Sequence, residues 1–123
     1  MRLPRERRIR ASADFTRLRQ EGSRLDCGPF LLNIGWASAE ASMVPARFAV
    51  VAAKKSIPLA VNRNRVKRRA RALFRDDAEA LPLGWELVLI ARPGMLRKSW
   101  ADLQRIYATA VAAAVAKANR PSA

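Results

Sequence analysis

Histidine is missing from all 123 residues. A His-based nucleophile, general base or metal-ligand set is therefore excluded. Cysteine occurs once, at Cys27, so no internal disulfide can form, and its neighbours offer no metal-ligand spacing. Five glycines are scattered along the chain and form neither a phosphate-binding loop nor a dinucleotide fingerprint. No base or oxyanion motif surrounds Ser12, Ser23, Ser38, Ser56 or Ser99. Uninterrupted apolar runs such as Leu87–Ala91 are far too short to span a bilayer. Residues 1–10 are basic, but no apolar segment of a signal peptide follows them, and the expected compartment is the cytoplasm. Acidic residues are scarce as well, ten against 24 Lys and Arg, for a formal charge of +14. Such an imbalance calls for a polyanionic partner, and on charge alone RNA, DNA and a membrane surface all qualify.

The cations are concentrated. Lys54 to Arg75 holds nine basic residues in twenty-two and no acidic one. Like charges at that density repel in a compact state, so something polyanionic must offset them. The segment is nevertheless patterned to fold: Val66, Ala70, Leu73 and Phe74 recur at i, i+4, i+7 and i+8. At about 100° per residue they share one arc of roughly 100°. Lys67, Arg71, Asn64, Arg75, Arg68, Arg65 and Arg69 fill the remaining arc. One face can bury while the other presents an array of donors. Arg can hold a phosphate bidentately and stack on a base, and Asn64 can donate and accept at a base edge or sugar hydroxyl. A solvated charge run without a ligand would carry acidic i,i+4 partners, which are lacking here.

With half its residues hydrophobic, the chain reads as one domain over 1–123 with a modest core, preceded by a mobile basic arm at 1–10. Ser12 caps a helix over 13–21, ended by Gly22. Phe30, Leu32, Ile34 and Trp36 alternate along a strand at 30–36, and a second strand is expected at 47–53. The basic helix spans about 63–77, a strand follows at 85–91, and Ser99 with Asp102 forms a capping box for a last helix. Its apolar stripe is Trp100, Leu103, Tyr107, Ala110, Val111 and Ala114. Helix, strands, helix, strand, helix describes an α+β domain with one small sheet.

The spaced set Lys54-Lys55, Ala60-Val61, Arg63-Asn64-Arg65, Lys67-Arg68-Arg69, Arg71 and Phe74-Arg75 resembles the RNR motif of the bacterial ribonuclease P protein family. Asp14-Phe15 with Gly22 seven residues after Phe15, and the strand patterns at 29–32 and 88–92, extend the likeness over nearly the whole chain. The resemblance implies a compact two-layer α/β sandwich with a left-handed βαβ crossover, an arrangement also known from a ribosomal-protein domain. It implies an RNA-binding subunit of a tRNA 5′-end-maturing endoribonuclease, with the catalytic RNA and precursor tRNA as partners. DNA, a membrane or an obligate protein partner is not expected. No catalytic residue, metal or cofactor is expected on the protein, the catalytic groups and their Mg²⁺ belonging to the RNA. Carried over residue by residue, Lys54, Lys55, Arg63, Asn64, Arg65, Lys67, Arg68, Arg71 and Arg75 would bind the catalytic RNA. Phe15, Arg19, Phe30, Leu32 and Asn33 would line a cleft for the single-stranded 5′ leader, with Phe30 and Leu32 partly buried and keeping one wall exposed. Leu59 and Ala72 stand where many members carry Lys and Glu, and Arg19 and Asn33 where some carry aromatic residues.

Two other classes fit parts of the pattern. A structural RNA binder, such as a ribosomal protein or RNA chaperone, shares the composition but not the spaced motif. A protein-only nuclease would have to use Asp76, Asp77 and Glu79, sequential neighbours at a helix end, whereas metal-dependent nucleases converge acids from several elements.

Overall fold

The computed structural model describes residues 23–36, 45–77, 79 and 81–118. The expected arm at 1–10, the helix at 13–21, and with them Phe15 and Arg19, lie outside the described residues. Within them the order is β1 (Ser23–Asp26), β2 (Phe30–Trp36), β3 (Arg47–Val51), α1 (Ala60–Asp76), β4 (Trp85–Ala91), a 3-10 turn (Pro93–Leu96) and α2 (Trp100–Ala118). The strands form one sheet in the order β1-β2-β4-β3. β1 and β4 both pair antiparallel with β2, while β3 pairs parallel with β4. The basic helix is thus the crossover of a βαβ unit, and β4 slots between strands adjacent in sequence. The α+β architecture is as expected.

Register divides the sheet into two faces. Opposite one another on the inner face stand Ile34, Leu87 and Phe48, then Leu32, Leu89 and Val50, then Phe30 and Ala91. These join Val66, Ala70, Leu73 and Phe74 of α1 and Leu103, Tyr107, Val111 and Ala114 of α2 in one core cluster. Both helices therefore cover the same face. β4 is buried along nearly its whole length, which is why its sequence is a continuous apolar run and not an alternating one. On the outer face, Val88 packs with Ala49 and Ile90 in a second, small apolar cluster. Beside it Glu86, 1 % exposed, forms an ion pair with Arg47, its neighbour in register on β3.

The β1–β2 turn is held from outside. Gly28 has φ +92°, a conformation that suits glycine, and its N–H donates to Asp26 Oδ1 at 3.0 Å. Arg92, at the end of β4, grips the same carboxylate with both Nη atoms, at 2.7 and 3.2 Å. Those hydrogen bonds, then the one from Gly28, hold the Asp26 carboxyl below the usual carboxylate range. Burial pushes the neighbouring Cys27 thiol up. Gly94 approaches so closely that a Cβ there would lie 3.2 Å from Pro29 Cα.

Element bounds differ from expectation in instructive ways. β3 stops at Val51, because Ala53 accepts from the N–H groups of Ser56 and Ile57 and the chain turns. α1 begins at Ala60, earlier than expected, as soon as Pro58 is passed and Leu59 takes an extended N-cap conformation. β1 was not anticipated: Ser-Arg-Leu-Asp lacks β-branched and aromatic residues. Only half of the expected capping box forms. Asp102 N–H donates to Ser99 Oγ at 3.1 Å, but the Asp102 carboxylate turns outward to Arg105 at 3.0 Å.

Candidate nucleic-acid interface

The aim of the basic face follows from how α1 is anchored. Val66, Ala70, Leu73 and Phe74 are its buried residues, the four picked out by periodicity. Phe74 stacks on Phe48 of β3, centroids 4.8 Å apart and planes 18° from parallel, in addition to the area each ring buries. With that stripe against the sheet, Asn64, Arg65, Arg68 and Arg75 are exposed, and Arg63, Lys67, Arg69 and Arg71 lie half-buried along the flanks.

Lys54 and Lys55 are exposed on the turn that leads into the helix. That turn is not loose. Ile57 is buried in the core, and Arg63 Nη1 donates back to the carbonyls of Ile57 and Pro58 at 3.0 and 2.7 Å. Arg63 thus fastens the turn to α1 besides carrying charge.

The start of α1 is set up against the usual preference. Helix N-termini favour acids because of the macrodipole, yet the first turn holds none, and N-cap Leu59 provides no side-chain hydrogen bond. Cations and unsatisfied N–H groups therefore gather at one end, which suits a phosphate. Leu59 and Val61, 61 % and 67 % exposed, stand beside them. Two large apolar side chains in water next to a cationic face are a feature that sequence reasoning passed over, although Val61 belongs to the quoted motif; their exposure, not their type, is the signal.

The leader-side residues separate. Phe30 and Leu32 are both 0 % exposed in the core cluster, so the expected exposed wall is absent. Strand parity explains the correction: they point toward α1 and α2, and only Leu31, Asn33 and Gly35 of β2 point the other way. Asn33, 9 % exposed, lies on the outer face, in register with Val88 of β4 and Arg24 of β1.

At the far end of α1, Asp76 pairs with Arg75 at 3.5 Å. Asp77 lines a crevice of about 160 Å³ with Leu73, Asp76, Gln104, Tyr107 and Ala108. Burial, and secondarily the Asp77 charge, push the Tyr107 hydroxyl up. Among the described residues no three His, Cys, Asp or Glu side chains converge to hold a metal. Nor is any helix among them long and apolar enough to cross a membrane.

α1 thus combines a buried stripe, a cationic opposite face and a basic turn stapled to its start. The Ribonuclease P family model matches residues 3–115. The chain belongs to the ribonuclease P protein family. The ribonuclease P protein component of Clavibacter michiganensis is 34 % identical over 113 residues, covering 92 % of this chain and 96 % of the relative. That of Herpetosiphon aurantiacus is 35 % identical over 103 residues, 84 % and 80 % of the two chains. Among solved structures, the ribonuclease P protein of Staphylococcus aureus superimposes with a TM-score of 0.71 at 23 % identity, over 92 % of this chain and 95 % of that one. The Thermotoga maritima ribonuclease P protein gives 0.71 at 24 %, over 85 % and 94 %. Both likenesses concern the fold. The ribonuclease P protein family supplies the RNA-binding subunit of the enzyme that processes tRNA 5′ ends.

Proposed function

We propose that this chain docks α1 and the Lys54–Lys55 turn onto the catalytic RNA of ribonuclease P, and that the assembled particle removes the 5′ leader of precursor tRNA in the cytoplasm. The observation that carries this reading is the exposed face of α1, where cations crowd with no acid in the first turn while the opposite face packs on the sheet through the Phe48–Phe74 stack. Lys54, Lys55, Arg63, Asn64, Arg65, Lys67, Arg68, Arg71 and Arg75 are the RNA-facing set. Their charge screens the repulsion between catalytic RNA and substrate, and binding of this kind weakens steeply with salt.

Hydrolysis is assigned to the RNA partner and its Mg²⁺. The chain has no histidine, and Asp76, the acid a protein-only mechanism would need first, is engaged with Arg75. The leader is assigned to the outer face of the sheet, where Asn33 and the exposed Arg24 are neighbours in register. Phe30 and Leu32 support that face from the core without touching the substrate. Phe15 and Arg19 remain the other leader-side contacts of this proposal.

Cleavage of a precursor tRNA at low Mg²⁺ tests the assignment. Pure protein, a bacterial ribonuclease P RNA alone and their mixture are compared, and leader removal is expected only from the mixture. No enhancement on mixing would favour a structural RNA binder. Cleavage by the protein alone, abolished in Asp76→Ala, would return catalysis to the polypeptide.

A further inference from the structure

Arg69 of α1 hydrogen-bonds to a segment much later in the chain. Its Nη1 donates to the backbone carbonyls of Met95 at 2.5 Å and Lys98 at 3.1 Å. The connection it grips is fixed in other ways too. Met95 is fully buried in the core, the N–H groups of Arg97 and Lys98 both donate to Gly94 O at 3.1 Å, and Gly94 sits against Pro29. Residues 93–98 are a clamped turn.

Two of the exposed residues on that turn are Arg97 and Lys98. Among the described residues neither has an ion-pair partner. The nearest acid along the chain, Asp102, is engaged with Arg105. The Arg69 bonds bring this pair of cations up to α1 on the flank of Arg65, which precedes Arg69 by four positions and so shares its side of the helix.

We propose that Arg97 and Lys98 extend the docking surface beyond α1 to the start of α2 and meet backbone phosphates of the same RNA. Arg69 is then a positioning residue, holding the second cationic segment against the first. A pre-clamped turn loses little freedom when it binds, whereas lysines on a loose loop must be ordered first. The inference rests on the reading of α1 as the RNA-docking face.

The test is the affinity of the full-length protein for a bacterial ribonuclease P RNA over a salt series. Simultaneous Arg97→Ala and Lys98→Ala should weaken binding about tenfold at moderate salt and lower the slope of log K against log salt by roughly two. Arg69→Lys keeps the charge but not the two-carbonyl grip, so it should lose affinity as Arg69→Ala does. In either Arg69 background, removing Arg97 and Lys98 should cost less than in the parent protein. Thermal melts show whether each variant is folded, and the Arg97/Lys98 change removes no hydrogen bond between elements. Wild-type affinity and slope in that double variant, with Arg65→Ala still weakened, would overturn this inference alone. Unchanged binding in Arg65→Ala as well would overturn the reading of α1 and this extension with it.

Discussion

α1 and α2 bury stripes of the same geometry against the same sheet face, and on their other sides they have little in common. α1 turns Asn64, Arg65, Arg68 and Arg75 outward and has no acid in its first turn. α2 turns out Ala101, Gln104, Ala108, Thr109, Ala112, Ala113 and Ala116, carries Asp102 in its first turn and Lys117 in its last, and pairs Asp102 with Arg105. The second helix follows the rules that favour a helix in water. The first departs from them along its exposed face, with no acid in its first turn. If α1 docks on RNA as proposed, the contrast separates what the fold requires from what binding requires.

Breaking the buried stripes gives the largest effects. Phe74→Ala should cost roughly 3–5 kcal/mol and Leu103→Ala roughly 2–5 kcal/mol, measured by denaturant unfolding. The two should part company in RNA binding: Leu103→Ala, once corrected for the unfolded fraction, keeps its affinity, while Phe74→Ala loses affinity because α1 is no longer held in one orientation. Next come the exposed faces. Arg65→Ala or Arg68→Ala should leave stability within about 0.5 kcal/mol and reduce the salt slope of RNA binding by about one contact each, whereas Arg105→Ala on α2 should change neither. The smallest effects are the most pointed. Ala60→Glu, which supplies the missing acid at the start of α1, should raise stability by about 0.3–1 kcal/mol yet weaken RNA binding. Asp102→Asn on α2 should lower stability by a similar amount and leave binding alone. Stability and affinity moving together in Ala60→Glu would erase the distinction between the helices.

Much of this was legible in the amino-acid order because period is a local signal. Val66, Ala70, Leu73 and Phe74 announce both the helix and its buried side, and the alternation from Phe30 to Trp36 announces a strand. Alternation tells that two faces exist without telling which one the helices will cover. The continuous apolar run of β4 carries no parity of its own to help, so Phe30 and Leu32 were expected in a cleft when they belong to the core, and of the β2 residues considered Asn33 alone faces outward. Arg68 and Arg69 are chemically identical neighbours. Only contact with Met95 and Lys98, 26 and 29 residues away, sets one of them to clamp a turn. The Arg47–Glu86 pair, 39 residues apart in sequence, is equally silent in a linear reading. β1 escaped because a four-residue edge strand made of Ser, Arg, Leu and Asp owes its conformation to β2 more than to itself.

The stack of Phe74 on Phe48 acts as a gunsight. Side-chain tips on a helix lie about 5–6 Å from its axis, so a roll of only 20° carries each of them roughly 2 Å sideways. That distance separates a hydrogen bond from none, and the roll would displace every cation on the face together. A pair of nearly parallel rings, one on the helix and one on the sheet, adds a preferred geometry to the area it buries and so opposes this motion. The residue that sets where the arginines point is thus an apolar one on the opposite side of the helix, with its ring against the sheet.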